Sequence, residues 1–386
     1  MPRRWQAHQG SVVPGNHILY CVAQTLEKGG SRLKTIAYIV DPTLGHVARA
    51  HQIACQVRRS ADVRIVFITP DERGYVRQFL DPDYETHHIP TRSVRDPLIP
   101  NRFAPGLEQA LGSVRPDLIV HDLCPLRYLS TARLPDCPRV HVTNAFLTGP
   151  AGNATFQARW FEDIGPAVNA TRAEKGLPPI GSAHQLYEAD RVLCADPGFV
   201  AEALPVLPPH YTVCGHIGFE VDADIPDPLR DTTDLMIMSM GSTGPSGFSA
   251  DLLRDLRDRS GSSAIIYVGR PMPKLAELGV LDGMFEWLPL HRILDRARLV
   301  VTQGGTGSSY QALAYGRPVA VLPQHTNHEI LGRILQDCGV GVMCNEAVPS
   351  RIDFAAMHNA ATALAAGMQT RRDGAKNAAT AIIGLL

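Results

Sequence analysis

Two stretches of this sequence carry residue types and spacings suited to chemistry. In Leu299–Gly316, LVVTQGGTGSSYQALAYG, an apolar run gives way to Gly304, Gly305 and Gly307 interleaved with Thr306, Ser308 and Ser309, and then to a helical pattern. Glycines let a backbone approach a ligand closely, hydroxyls donate, and the first N–H groups of a helix have no partner inside it. Such a turn can cradle a pyrophosphate by helix-end N–H groups and dipole, without a metal or a large positive charge. The same turn can also exist only to pack tightly. The second stretch is Asp41-Pro42-Thr43-Leu44-Gly45-His46-Val47-Ala48-Arg49, where His46 stands at a strand-to-helix handover. A neutral imidazole there can take a proton from an attacking hydroxyl. Taken alone, one of fifteen histidines reads first as a helix-start or surface residue.

The elements that must position these residues are alternating strands and helices. From Lys34 the chain runs KTIAYIV, the helical VARAHQIACQVRR, VRIVFIT, a segment around Tyr75 to Leu80, FAPGLEQALGSV and LIVHD. Short β-rich runs alternating with helices predict a parallel sheet covered on both faces. A second series follows the Pro- and Asp-rich segment Phe219 to Thr233: LMIMSMG, a helix across Asp251 to Arg259, AIIYVG, FEWL, RILDRA, LVVTQ, an Ala-containing helix, VAVLP and GVGVM. The expected organisation is a loose extension over residues 1–33, a first Rossmann-like domain over 34–218, a linker over 219–233 and a second Rossmann-like domain over 234–386. In open α/β sheets, ligands bind beyond the carboxyl ends of the strands. Both candidate stretches fall there.

Bulk properties exclude several classes. With 386 residues and 45% hydrophobic composition, two domains are the natural expectation. Lys+Arg (37) and Asp+Glu (38) cancel to a formal charge of -1, leaving no global field to attract nucleic acid or an acidic membrane. The eight cysteines form no C-x-x-C pair and read as core thiols in a reducing cytosol. The apolar run at Ile18 to Ala23 is too short for a signal peptide, and nothing approaches a membrane span. A cytoplasmic monomer or homodimer is expected.

The Gly-rich turn resembles the donor-binding signature of the family 1 nucleotide-sugar glycosyltransferases, including the macrolide type. There a His-Gly-Gly-x-Gly-Thr turn is followed by Glu-Ala-Leu, a Gly-x-Pro step and a strand ending in Pro. Here these become Gln303-Gly304-Gly305-Thr306-Gly307-Ser308, Gln311-Ala312-Leu313, Gly316-Arg317-Pro318 and Pro323. Upstream, Trp287-Leu288-Pro289-Leu290 preceding a helix is similar to the family's Trp-x-Pro-Gln element, whose Trp stacks on the nucleobase. On composition alone Trp287 reads as core. Met240-Gly241-Ser242-Thr243-Gly244 is similar to the first loop of the family's second domain, where a Ser reaches the donor phosphates, and Arg270 stands where it can neutralise charge or lie at the surface. The family's His and Glu are Gln303 and Gln311 here, and its sugar-reading Asp-Gln pair falls on Asn327-His328. The substitutes keep hydrogen-bonding capacity but lose charge or titratability.

Gly45-His46 is similar to the family's Gly-His, whose His is the general base of an inverting displacement. A carboxylate on the other ring nitrogen fixes the tautomer, and Asp122, at the end of LIVHD and aligned with the family's supporting Asp, is its candidate. Arg49 stands where many members have Pro. Phe146, Phe156, Trp160 and Phe161 either line an acceptor pocket or fill core, and Asn169, Arg172 and Gly176-Leu177-Pro178-Pro179 follow as family landmarks.

The resemblance implies a GT-B fold: α/β, two Rossmann-like doubly wound domains facing across a cleft, with helices from Asp353 onward crossing back to the first domain. It implies transfer of a hexose-type sugar from a UDP- or TDP-sugar co-substrate to a hydroxyl of a small acceptor. No cofactor and no metal is expected, since Asp81-x-Asp83 and Asp222-x-Asp224 read as solvated acidic turns. Two rival expectations are a GT-B sugar-nucleotide 2-epimerase, which needs further acid/base carboxylates, and a donor-binding partner subunit without activity, suggested by joint loss of the His, the Glu and the Asp-Gln pair.

Overall fold

The computed structural model describes residues 32–70, 80–91, 99–148, 154–220, 224–241, 249–368 and 371–386. Nearly all of the extension expected at 1–33, most of the segment around Tyr75, and Ser242, Thr243, Gly244 and Asp222 lie outside the described residues. The chain divides into two compact units. One runs to residue 217 and takes in residues 371–386; the other spans 218–370.

The first unit is built on seven parallel strands in the order β3-β2-β1-β4-β5-β6-β7. They are β1 (Lys34–Ile39), β2 (Val63–Thr69), β3 (Glu85–His88), β4 (Leu118–His121), β5 (Arg139–Thr143), β6 (Arg191–Cys194) and β7 (Tyr211–Val213). After Lys34, every residue of β1 is buried, so both faces of the strand are covered and KTIAYI reads as one continuous apolar run. The helices Leu44–Ser60 and Ile99–Val114 are the expected ones. Phe103, Leu107 and Leu111 of the latter close a core with Ala37, Ile39, Val66, Ile68 and Ile119. The Phe, Leu, Ile and Val side chains among them each contribute roughly 1.5–3 kcal/mol on full burial. The strands β3, β5, β6 and β7 were not expected individually; ETHH, RVHVT, RVLC and YTV are short and carry charged, imidazole or hydroxyl side chains.

The second unit has six parallel strands in the order β10-β9-β8-β11-β12-β13. These are β8 (Leu235–Ser239), β9 (Ala264–Val268), β10 (Gly283–Phe285), β11 (Ala297–Thr302), β12 (Val319–Val321) and β13 (Gly341–Met343). The expected helix at Asp251 is Ala250–Ser260; Ser249 caps it by accepting from the Leu252 N–H (3.1 Å), worth about 1 kcal/mol. Its Leu252, Leu253 and Leu256 pack with Met236, Met238, Ile265, Leu299 and Val301. FEWL and RILDRA do not give regular elements of their own length: the strand stops at Phe285, and two 3-10 turns, Leu290–Arg292 and Leu294–Arg296, stand where a helix was expected after Trp287.

The two final helices part company. Phe354–Gly367, capped by Asp353, stays with the second unit, and only Arg371–Ile383 joins the first, so the crossing expected from Asp353 begins at Arg371. This last helix packs against Leu44–Ser60. Asn377 Nδ2 donates to the Cys214 carbonyl at 2.8 Å. A Cβ on Gly374 would sit 2.2 Å from the His216 carbonyl oxygen, so only glycine permits this approach.

Candidate active site

The first sheet reverses strand order between β1 and β4, whose neighbours run outward in opposite directions. Crevices of this kind are where doubly wound sheets bind ligands. The chain leaves β1 through Val40 and Asp41 and starts the helix Leu44–Ser60 after the N-cap Thr43, which places His46 in its first turn. Asp122 follows β4 directly. The two meet: His46 Nδ1 lies 3.1 Å from Asp122 Oδ2, with the His46 side chain 40% exposed and that of Asp122 only 4%. His46 therefore keeps an open side while its partner is buried.

Asp122 is held from three directions. The Asp41 N–H donates to its Oδ1 at 3.2 Å, and Arg49 Nη2 lies 3.6 Å from the same Oδ2 that faces His46. Burial pushes the carboxyl up, but His46, Arg49 and the Asp41 N–H outweigh it, and Asp122 stays below the ordinary carboxylate range. For His46, desolvation disfavours the imidazolium; Asp122, through charge and contact, and then Asp41 overcome this, so its pKa lies above the ordinary 6.5 although Arg49 pulls it down. Burial pushes the Asp41 carboxyl upward, with the neighbouring Asp122 charge adding to it and His46 opposing. His121 stacks on His141 with ring centroids 4.6 Å apart, and burial holds both well on the neutral side.

In the second unit the order reverses between β8 and β11. The turn after β11 runs through Gln303 and Gly304 to Gly305, the N-cap of the helix Thr306–Ala314. Gly304 has φ +94°, and a Cβ on it would lie 2.9 Å from His328 Cα, Cβ and O; this glycine is required by packing. Its N–H donates to Thr302 Oγ1 at 3.0 Å, and Thr302 Oγ1 pairs with Ser309 Oγ at 3.1 Å. Gly305 and Gly307 are different: a Cβ on either meets nothing within 4 Å. The first turn, Thr306 to Ser308, thus presents its N–H groups beside open space, the setting in which a helix start binds an anion.

The other expected donor residues are spread around this turn. Ser308 Oγ pairs with Ser239 Oγ, the last residue of β8, at 2.9 Å. Gln303 is buried, and its Nε2 lies 2.5 Å from where a Cβ on Gly241 would be, so the ends of β8 and β11 touch there. Gln311 is also buried, and its Nε2 donates to the Phe219 carbonyl at 3.0 Å, a bond that the family's Glu could not make. Asn327 and His328 lie in the first turn of the helix Thr326–Asp337; His328 is buried, accepts at Nδ1 from the Gln324 N–H (3.3 Å) and lies against the His325 ring, tilted by 31° with centroids 3.6 Å apart. Arg270 is exposed just past β9, with its carbonyl accepting from Tyr267 Oη. Trp287 is half-buried and Leu288 buried, both following the edge strand β10. Of the acidic turns, Asp81 and Asp83 both pair with Arg58.

Several neighbours were given no role of their own in the sequence: Ser239 and Thr302 in the second unit, and Asp41, Asn144 and Asp196 in the first. The signal for the latter three was present. The adjacent strands β1, β4, β5 and β6 each release one polar residue on leaving the sheet: Asp41, Asp122, Asn144 and Asp196. Phe146 is fully packed, and Trp160 and Phe161 sit against a cluster of Leu126, Val168 and Tyr187. The Phe156 side chain lies outside the described residues. Arg172 and Asn169 bind backbone around Pro178 and Ile180, shaping the Gly176–Pro179 turn.

Comparison with known proteins agrees with this architecture. The family model described as "Erythromycin biosynthesis protein CIII-like, C-terminal domain" matches residues 271–383. Over 111 residues the chain is 32% identical to the oleandomycin glycosyltransferase of Streptomyces antibioticus, a stretch covering 28% of this chain and 26% of that protein. The matched part thus spans about a quarter of that relative's length. Among solved structures, the glycotransferase of kitacinnamycin superposes with TM-score 0.71 at 20% identity, covering 92% of this chain and 100% of that one. SnogD from Streptomyces nogalater, a glycosyltransferase, gives TM-score 0.64 at 19% identity, covering 92% and 100%. The fold is GT-B, that of these solved glycosyltransferases, and within it residues 271–383 are similar to the EryCIII-like C-terminal domain.

Proposed function

We propose that this chain is a hexosyltransferase that moves a sugar from a UDP- or TDP-sugar to a hydroxyl of a small natural-product acceptor, with inversion. The observation that carries this reading is the His46–Asp122 contact at the carboxyl ends of β1 and β4. With Nδ1 turned to Asp122, Nε2 takes the acceptor hydroxyl proton as its oxygen attacks the anomeric carbon. The bond from that carbon to the diphosphate breaks, and the N–H groups of Thr306 to Ser308 stabilise the charge that forms on the leaving group. One displacement inverts the anomeric centre. The backbone donors carry the leaving charge, so the reaction needs no metal. The acceptor class is supported by the names of relatives such as the oleandomycin glycosyltransferase and the glycotransferase of kitacinnamycin.

In this reading Trp287 stacks on the base, Ser242 and Arg270 attend the phosphates, and Asn327 faces the sugar. The Gln311 amide is committed to Phe219. The ribose is then held by neutral donors rather than by a carboxylate.

The test is a thermal-shift panel of UDP, TDP, GDP, ADP and CDP on the protein and on Gly305→Val. A Cβ at residue 305 enters open space and φ is -68°, so the variant folds while filling the cradle. One diphosphate should raise the melting temperature of the parent and not of the variant. No shift with any diphosphate overturns the donor-site reading.

A further inference from the structure

His46 and Arg49 are three residues apart on the helix Leu44–Ser60 and therefore share a face. Both reach the ends of the strands. Arg49, its side chain 12% exposed, lies with Nη2 3.6 Å from Asp122 Oδ2 and donates from Nη1 to Asn144 Oδ1 at 3.3 Å. Asn144 in turn donates from Nδ2 to Asp196 Oδ1 at 2.8 Å, and Asp196 Oδ2 accepts from the Ala145 N–H at 2.6 Å. Asn144 and Asp196 are buried, the latter completely. A continuous polar chain thus runs from the half-open His46 through Asp122, Arg49 and Asn144 to a fully enclosed carboxylate.

We propose that Arg49 is a positioning residue of the site: its guanidinium fork ties Asp122 to Asn144, fixing the carboxylate oxygen that faces His46. This rests on the reading of His46 as general base. The physical reason is geometric. A single planar cation reaches acceptors released by two different strands, β4 and β5, and an ammonium on a flexible stem serves only one such direction at a time. The cation also acts on His46 by charge. The groups facing that imidazole are Asp41 after β1, Asp122 after β4 and Arg49 on its own helix, with Arg127 acting on Asp41 from the helix Pro125–Tyr128. Arg49 is the cation among them that directly opposes a proton on His46. It therefore keeps the base neutral to lower pH than Asp122 and Asp41 alone would allow.

The experiment is an NMR titration of the His46 ring in the whole protein, assigned by the resonance lost in His46→Gln. It is repeated in Arg49→Met, Arg49→Lys and Asn144→Ala. Arg49→Met should raise the His46 midpoint by roughly one pH unit. Arg49→Lys, which keeps the charge, should leave it within about a third of that shift. Asn144→Ala should leave the midpoint near that of the parent while broadening the ring signals, because the fork loses its anchor. An unmoved midpoint in Arg49→Met overturns the proposal. Should Arg49→Met not fold, a parent-like midpoint together with parent-like ring signals in Asn144→Ala overturns it instead. The titration needs no donor or acceptor, so it stands apart from the proposed reaction. Full turnover in His46→Ala would sink that reaction and leave the titration readable.

Discussion

Asp122 offers one and the same oxygen, Oδ2, to His46 at 3.1 Å and to Arg49 at 3.6 Å. Two basic side chains on one helix thereby share a single buried acceptor, while the other oxygen receives the Asp41 N–H. This sharing means that loss of the carboxylate has two separable effects, one on the reaction and one on the fold.

Replacing His46 by Ala should lower turnover by about 10²–10⁴-fold, the usual contribution of a positioned general base. Its half-open side chain makes little of the core, so the melting temperature should barely move. Asp122→Asn should lower turnover as well and also leave Arg49 without its buried anion, at a cost of about 3–5 kcal/mol. Paired melting and steady-state measurements would separate the two. An Asp122→Asn protein as stable as its parent would contradict the shared-oxygen account.

The pH profile of turnover follows from the sign of the His46 shift. A general base must be neutral, and His46 holds its proton above the ordinary 6.5, so the acid limb of kcat/KM should lie above pH 6.5. An acid limb below that value would remove His46 from the role.

Stability should respond to acid in the same sense as catalysis, but over a lower pH range. Burial lowers His51 and His141 to about 4 and His121 well below 6.5, with none of them protonated in the folded first unit at pH 6. The unfolded chain binds those protons near pH 6.5, so stability is complete above that pH and is lost as pH falls toward 4. Each histidine contributes a slope of roughly 1.4 kcal/mol per pH unit well inside that window. Melting curves between pH 7.5 and 4.5 measure this; a flat profile would show that these rings are solvated in the native state.

Two adjacent glycines should behave differently. Gly304→Ala forces a side chain into the backbone of His328 at a positive φ and should destabilise the second unit by about 2–4 kcal/mol. Gly305→Ala meets open space and should leave stability within about 1 kcal/mol. Urea denaturation distinguishes the pair, and equal losses would mean that Gly305 is also held by packing.

Gln311→Glu restores the family residue but replaces a donor facing the Phe219 carbonyl by an acceptor. We expect a loss of about 1–3 kcal/mol, with no gain in nucleotide affinity. Tighter nucleotide binding at unchanged stability would show that the side chain can turn to the ribose.

Much of this was legible in the sequence because parallel strands buried on both faces leave continuous apolar runs, as β1, β8 and β11 do. The strands β5 and β6 escaped notice since RVHVT and RVLC mix charge and imidazole with only a few apolar residues. The approach of His46 to Asp122 could be anticipated from two strand ends, β1 and β4, that pair residue by residue from Ile36↔Leu118 to Ile39↔His121. The fates of Gln311 and His328 could not. The Gln311 amide is turned by the distant Phe219 carbonyl and the His328 ring by the Gln324 N–H four residues back, and no hydrophobic pattern records which way a polar side chain will face.

The return of Arg371–Ile383 to the first unit sets an order of events during synthesis. That unit lacks the partner of its Leu44–Ser60 helix until the residues beyond 371 have been added, after the whole of 218–370. At about 5–20 residues per second the interval lasts roughly 8–30 s. Through that time the nascent first unit carries an uncovered helix flank and the unmet Cys214 carbonyl, while the second unit is free to finish. In a growing chain, the part made first is therefore completed last.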